Sequence, residues 1–537
     1  MGQIIVNPGN KEAALEKGRN LLSYLQEAGV NINASCGGIG ICRGCLVNVI
    51  DNECLNQLTD IEKKSIRLPG ERLACQAKIV NENGSVVVEV PTIAKYKILE
   101  KGISKKIKLN PYVTKEKSPV GEKVCWKNIE IGNYEGEMYG IALDIGTTTI
   151  SMYWVDFETG EEHFISSILN PQIGYGDNII DRIKYAMVSS QSHLEKAIRE
   201  GINEMIREGP IDTNHIYEMT VVGNTAMRDI FIGHSVKKLG LAPFEPISKN
   251  AFNRNASKMD LVINPKANVY ALPLIGHFVG ADALGVVLST EMYESNKITM
   301  AIDIGTNTEI VLGNRDRLFA TSCASGPAFE GSGIKCGTGA IEGAIQRIEI
   351  DNDLKSHCET IGDVNPVGIC GSGLIDLLAQ MLDKKIIDWR GKFADERKEY
   401  IVAKTTDGVN ISLDGRDIDN LKLAKSAISV GTKVLMNKYD IGRNDIETLY
   451  LAGAFGNYIN PVHAIKIGML PDIPLNRISK VGNAAIEGSR QALISKDKRS
   501  EAERISKKIK HVSLELEKDF QERFVEELTF NNYRKED

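Results

Sequence analysis

Four cysteines near the N-terminus have the residue type and spacing of metal ligands. Cys36, Cys42 and Cys45 lie in SCGGIGICRGC and Cys75 lies in RLACQ, so the gaps are five, two and twenty-nine residues. Three thiolates on a glycine-rich loop plus one remote cysteine is an arrangement that holds a two-iron, two-sulfide cluster. Gly37, Gly38, Gly40 and Gly44 let the backbone wrap tightly with its N–H groups toward the sulfides, which stabilises the more negative reduced state. Zinc is the competing occupant and prefers two close cysteine pairs. Cys75 has no near partner and Cys36 stands too far from Cys42 for a knuckle, so the spacing favours [2Fe-2S]. The other six cysteines, Cys54, Cys125, Cys323, Cys336, Cys358 and Cys370, are scattered. Gaps of twelve, twenty-one and eleven residues among the last four fit no usual cluster pattern, and Cys54 reads as a free thiol.

A second constellation suits phosphate. ALDIGTTT at 142–149 and AIDIGTNT at 301–308 match at six of eight positions, 159 residues apart. Each reads as an apolar strand, an Asp, a tight Gly turn and hydroxyl residues. Gly146 and Gly305 allow a close hairpin whose N–H groups face phosphate oxygens, and Thr147, Thr148, Thr149, Thr306, Asn307 and Thr308 add polar donors. Asp144 and Asp303, at strand ends, are the candidates to act on the nucleotide by holding Mg²⁺ through water. Gly371 and Ser372 open a helix in CGSGLID, and Gly453, Ala454 and Gly456 in LAGAFGNYI suit the close approach of a nucleoside. No GKT or GKS P-loop and no GxGxxG after a strand occurs, so neither of those nucleotide folds is supported.

The elements that must position these groups follow from pattern. Short apolar runs at 4–6, 46–50 and 85–90 predict strands, 21–30 predicts a helix, and Thr59 with Glu62 predicts a capping box opening another. Residues 1–94 form one small domain on this reading. Residues 95–138 read as a linker, since 95–117 hold eight Lys against two Glu with little periodicity. From 139 to 537, strands such as YGIALDIG, EMTVVGN, ITMAIDIG, EIVLGN and TLYLAGAFG alternate with helices at 193–209 and 423–439, the texture of α/β layers. The internal repeat implies two related halves, about 139–298 and 299–537. The chain has 537 residues and a net charge of −6, which excludes a globally basic nucleic-acid binder. No run approaches a membrane span, no apolar signal core opens the chain, and a cytoplasmic location is expected.

The cysteine region resembles the plant-type and adrenodoxin-type ferredoxins, an α+β, β-grasp fold. The paired hairpin motifs resemble the actin, Hsp70 and sugar-kinase ATPases, an α/β fold of two RNase-H-like halves with ATP between them. Together with NPQIGYGDNIIDRI, VVGNTAM, SCASGPAFEG, GICGSGLID and LAGAFGNYI, the chain resembles the reductive activators of corrinoid proteins over nearly its whole length. That resemblance implies one [2Fe-2S] cluster on the four cysteines, ATP with Mg²⁺, an upstream low-potential electron donor, a corrinoid protein reduced from Co(II) to Co(I), and a homodimer. Some relatives carry a further domain ahead of the first hairpin, and the short spacer here leaves it out. Plant-type clusters sit near about −400 mV, and the cobalt couple lies lower, so each ~59 mV is a tenfold disadvantage that ATP must overcome. The competing functions are an activator of a radical dehydratase, a small-molecule kinase with a redox domain, and an Hsp70-like binding module. Ser322 and Ser325 read as turn hydroxyls, His277 as a loop or cleft histidine, and Glu330 as a residue able to position water.

Overall fold

The structure is a computed structural model that describes the chain except residues 1, 8, 9, 29, 31, 33–39, 41–44, 52, 67–69, 91–105, 120, 177, 454, 455 and 537. Two compact units divide it: residues 1–95 with 169–201, and 96–168 with 202–537.

In the first unit, β1 (Gln3–Asn7), β2 (Lys11–Ala14), β3 (Leu46–Val49), β4 (Glu71–Leu73) and β5 (Ser85–Glu89) form one sheet in the order β2-β1-β5-β3-β4. The central β1–β5 pair is parallel and the others are antiparallel. Alternate residues point inward as the two-residue period of a strand requires, and Ile4, Val6, Val47, Val49, Val86 and Val88 are buried. Helix α1 (Leu21–Glu27) buries Leu21, Leu22, Tyr24 and Leu25, and Asn20 caps it by accepting from Ser23 N–H at 2.9 Å. This is the β-grasp arrangement expected from the ferredoxin resemblance.

Helix α2 (Asp60–Ser65) opens with the expected capping box. Thr59 Oγ1 accepts from Glu62 N–H at 3.2 Å, and Glu62 Oε2 accepts from Thr59 N–H at 2.9 Å. Glu62 is fully buried and also accepts from Arg72 Nε at 2.9 Å and Leu73 N–H at 3.1 Å.

The stretch read as a linker is corrected by the second unit. β6 (Val113–Ser118), β7 (Gly121–Trp126) and β8 (Ile129–Asn133) pair as a three-stranded antiparallel sheet. Val113, Val124 and Ile131 are buried with Tyr153, Val155, Phe157 and Tyr217. The lysines outnumber these few inward residues, which is why the pattern hides a folded element.

The two halves of the larger unit carry the same strand plan. In the first, β9 (Tyr139–Ile145), β10 (Thr149–Asp156), β11 (Glu162–Leu169), β12 (Ile216–Gly223), β13 (Phe252–Asn255) and β14 (Asn268–Ala271) order as β11-β10-β9-β12-β14-β13. In the second, β15 (Thr299–Ile304), β16 (Thr308–Gly313) and β17 (Leu318–Cys323) continue from Ile478–Gly482 and Thr448–Ala452, in the order 478–482, 448–452, β15, β16, β17, 510–511. β9 pairs antiparallel with β10 and parallel with β12; β15 pairs antiparallel with β16 and parallel with Thr448–Ala452. The sequence repeat is thus a structural one, and both copies of the Asp-Ile-Gly-Thr string end the central strand of a sheet. Among the described residues no helix is long and apolar enough to cross a membrane.

Glu62 supplies a stability prediction. Burial alone would raise its pKa, but the Arg72 guanidinium and the two backbone N–H groups outweigh it and hold the carboxyl below its ordinary value. A lowered folded-state pKa stabilises above the unfolded value of about 4.3 and is lost as pH falls below it. Glu62→Ala strands the buried Arg72 with Asn56 as its remaining side-chain acceptor among the described residues, at 3.3 Å. The expected cost is about 3 kcal/mol, read as faster hydrogen exchange of the β1 and β5 amides.

Candidate functional site

Two of the four predicted cluster ligands are among the described residues; Cys36 and Cys42 lie outside them. Cys45 directly precedes β3 and Cys75 follows β4 by one residue. The pairing Leu46 with Leu73, and the Ala74 N–H to Cys45 carbonyl bond at 2.8 Å, bring the two together. Both are buried. The neighbouring Cys45 thiol is the main influence pulling the Cys75 thiol down to about 6, and Gln76 Nε2 donates to Cys75 Sγ at 3.5 Å. Gly40 holds φ +89°, and a Cβ there would fall 3.0 Å from the Ile61 side chain and 3.1 Å from Gln76 Nε2. Two converging thiols, an amide donor aimed at sulfur and a crowded glycine fit a thiolate-held cluster.

In the second unit, the two hairpins face one cavity. Gly146, Thr147, Thr148 and Thr149 line it from the first copy, and Gly305, Thr306 and Asn307 from the second. The turns differ by one residue: Gly146 N–H bonds the Thr149 carbonyl at 2.9 Å, whereas Gly305 N–H bonds that of Asn307 at 3.2 Å. Thr148 Oγ1 meets Thr306 Oγ1 at 3.0 Å, and both donate to Glu330, at 2.7 Å from Thr148 and 2.9 Å from Thr306. One carboxylate therefore bonds both copies of the repeat.

Asp144, Asp282, Asp303, Glu309 and Glu330 all line this cavity, and none of its described lining residues is Lys or Arg. Burial raises the Asp144 carboxyl to about 6, against the Asn483 Nδ2 bond to its Oδ2 at 3.0 Å. Burial and then the Asp144 charge raise Asp303 to about 7. Burial and the charge of Asp303 push Asp282 up, and burial and the charge of Asp282 push Glu309 up. Among the described residues no three His, Cys, Asp or Glu side chains converge on a metal ion by themselves.

Gly371 and Ser372 also line the cavity, at the start of the helix Gly371–Asp383, whose Cys370 N-cap makes no side-chain capping bond. Gly453 lines it with φ +88°; a Cβ there would lie 2.7 Å from the Ile304 carbonyl oxygen and 2.8 Å from Asp303 Oδ1. Gly456 is placed in the turn behind it, donating to the Gly453 carbonyl at 3.0 Å, and is not a lining residue. Ala454 lies outside the described residues. Ser325 bonds Thr308 Oγ1 at 2.9 Å and Ser322 donates to Glu309 at 3.1 Å. His277 is away from the cavity lining, stacked on His511 with ring centroids 4.4 Å apart.

Sequence reasoning missed Asp282, Glu309, Asn224 and Asn483. Glu309 had a signal: it stands where the first copy of the repeat has Ile150, an acid in an otherwise apolar strand. Asn224 and Asn483 cap the helices Thr225–Ile232 and Ala484–Ile494, and each turns its amide to a hairpin residue, Asn224 Nδ2 donating to Thr147 at 3.0 Å. Asn224→Ala removes the cap and that donor together, with an expected loss of about 1 kcal/mol in the urea unfolding of the full chain.

Three family profiles match the chain. The 2Fe-2S iron-sulfur cluster binding domain matches residues 4–80, the RACo middle region matches 139–295, and the C-terminal domain of RACo, the ASKHA domain, matches 297–536. The middle-region match falls on the first hairpin half itself, while the folded element between 95 and 138 is the small β6–β8 sheet. The corrinoid activation enzyme RamQ of Eubacterium limosum is 32% identical, with 94% of this chain and 95% of that protein aligned. A reductase of Methanosarcina barkeri specific for a Co(II) methylated amine-specific corrinoid protein is 26% identical over 73% of this chain and 77% of its own length. A solved reductive activator for a corrinoid, iron-sulfur protein superposes with a TM-score of 0.73 at 30% identity, covering 98% of both chains. With an iron–sulfur domain, paired hairpins around an acidic cavity, and this similarity from end to end, the chain belongs to the reductive activators of corrinoid proteins.

Proposed function

We propose that this chain reactivates a corrinoid protein by ATP-dependent delivery of one electron, converting Co(II) to Co(I). The observation that carries the reading is the union, on one chain of this family, of a thiolate nest and a two-hairpin cavity whose charged lining residues are all acids. Cys36, Cys42, Cys45 and Cys75 would hold a [2Fe-2S] cluster, which supplies low-potential one-electron carriage when bound. Around it, Gln76 donates to a ligand sulfur, and the buried Glu62–Arg72 pair fixes the strand that presents Cys75.

ATP is the substrate of the cavity. Thr147, Thr148, Thr306 and Asn307 donate to its phosphates, Gly371 and Ser372 present a helix N-terminus, and Gly453, with Ala454 and Gly456 behind it, leaves room for the nucleoside. Asp144 and Asp303 would hold Mg²⁺ through water. A polyphosphate brings negative charge to walls that are already acidic, so this cation has to balance both. Glu330, bonded to both hairpins, senses their separation and orients the attacking water. Closure of the two halves on ATP while the partner is docked drives the uphill transfer. A swing from 1:99 to 99:1 between two states needs about 5.5 kcal/mol of differential binding. An upstream low-potential donor, a homodimer and a cytoplasmic setting complete this reading.

The test is anoxic mixing of the reduced chain with a Co(II) corrinoid protein. The Co(I) absorption spectrum is expected to appear with Mg·ATP and to be absent with Mg·ADP; equal reduction with both refutes the reading. Asp303→Asn is expected to slow Co(I) formation by about 100-fold or more. Gly453→Ala drives a methyl group against the Ile304 carbonyl and Asp303, and is expected to weaken ATP binding about tenfold or more, measured by calorimetric titration.

A further inference from the structure

We propose that Asn110 couples nucleotide occupancy to the chain segment that leads from the iron–sulfur domain, through the helix Ala484–Ile494. This rests on the reading of the cavity as an ATP site.

The helix starts at the cavity. Asn483 caps it, its Oδ1 accepting from Ile486 N–H at 3.2 Å, while its Nδ2 donates to Asp144 at 3.0 Å; Asn483 and Ala485 both line the cavity. The body of the helix is packed without slack. A Cβ on Gly488 would lie 2.2 Å from the Gly285 carbonyl oxygen, and one on Gly285 would lie 2.6 Å from that of Ala485. Thr220 and Ser489 each donate to the other's carbonyl, at 2.9 and 3.0 Å. Buried Arg490 donates to the Gly160 carbonyl at 2.6 Å and pairs with Glu487 and Glu162.

The far end is bonded to residue 110. Asn110 N–H donates to the Ile494 carbonyl at 3.0 Å, and Lys496 N–H donates to the Asn110 carbonyl at 3.1 Å and to its Oδ1 at 2.9 Å. Asn110 Nδ2 donates to Asp497 at 3.1 Å. A Cβ on Gly160 would touch both Leu109 and Ile494, at 3.3 and 3.4 Å, so the contact beneath this corner is also close. Two residues downstream, Tyr112 packs on the buried Arg499 guanidinium with 4.8 Å from its carbon to the ring centre. Arg499 Nη1 and Trp126 Nε1 both donate to Glu218 Oε1 at 2.9 Å, tying the β6–β8 sheet to the same helical corner.

An eleven-residue helix spans about 16 Å. It is a rigid element joined at one end to a carboxylate that must change partners when a cation and phosphate arrive. At the other end it is joined to the backbone on the covalent path from the N-terminal domain. Displacement of Asn483 is therefore carried to residues 494–497 and on to Asn110, which acts as a positioning residue for the segment 107–118 around it.

Hydrogen–deuterium exchange of the full-length holoprotein, with and without the magnesium complex of a non-hydrolysable ATP analogue, tests this. In the unmodified chain the analogue is expected to protect 303–309 and to change exchange of 107–118 and 494–498 by about fivefold or more. Asn110→Asp sets a carboxylate against Asp497; protection at 303–309 is expected to persist while the response at 107–118 disappears. Asp497→Asn in the same chain restores a donor in the reversed sense and is expected to restore the response. ATP hydrolysis is expected to persist in Asn110→Asp while Co(I) formed per ATP falls. A response at 107–118 retained in Asn110→Asp overturns the proposal, as does an unmodified chain that protects 303–309 and leaves 107–118 unchanged. No protection at 303–309 in the unmodified chain removes the ATP-site reading itself and the proposal with it.

Discussion

A cavity lined by five carboxylates, with no lysine or arginine among its described lining residues, constrains what the larger unit can do. Such walls repel one another and hold protons more tightly than carboxylates in water do, as the raised Asp144 and Asp303 show. On the proposed reading, a polyphosphate would enter such walls only together with a cation. Neutral groups line the same space, among them the hydroxyls of Thr147, Thr148 and Thr306 and the amides of Asn224 and Asn483. The three hydroxyls come from two copies of one hairpin and the two amides from helix starts that face them, so a charge in the cavity would act on both halves at once.

The contact between the copies is correspondingly small and specific. Thr148 and Thr306 touch each other and share Glu330, so three side chains report the distance between two sheets. Hydroxyl–carboxylate bonds of this kind are each modest in net energy, and they exchange readily for bonds to phosphate. That suits the proposed function, in which the cleft closes on ATP and reopens after its hydrolysis. The N-terminal unit is built on the opposite principle. Its buried Glu62–Arg72 pair and apolar strand alternation hold Cys45 and Cys75 in place, where rigidity would limit reorganisation around the proposed sulfur ligands.

Much of this was readable from residue patterns. Three of the β-grasp strands, β1, β3 and β5, follow from the short apolar runs at 4–6, 46–50 and 85–90, and the capping box of α2 from Thr59 and Glu62. The hairpin residues follow from the repeated Asp-Ile-Gly-Thr string, since glycine and hydroxyls at a strand end have few other uses in duplicate. The β6–β8 sheet was hidden because each strand puts little more than one apolar residue inward, Val113, Val124 and Ile131, among exposed lysines and glutamates. Asp282, Asn224 and Asn483 were hidden for a different reason. They sit at helix starts remote in sequence from the hairpins they face, and an N-cap asparagine looks the same whether its amide meets solvent or a cavity. Glu309 alone carried a local clue, as the acid that replaces Ile150 between the two copies.

On the proposed function, nucleotide turnover moves an electron onto cobalt against its natural direction. The most direct measurement is the Co(I) fraction of a corrinoid protein held at a fixed ambient potential by mediators, with the full chain present, before and after Mg·ATP is added. ATP is expected to raise that fraction above the equilibrium value set by the ambient potential, and the excess to decay when ATP is exhausted. A Co(I) fraction that follows the ambient potential alone, with or without ATP, contradicts it.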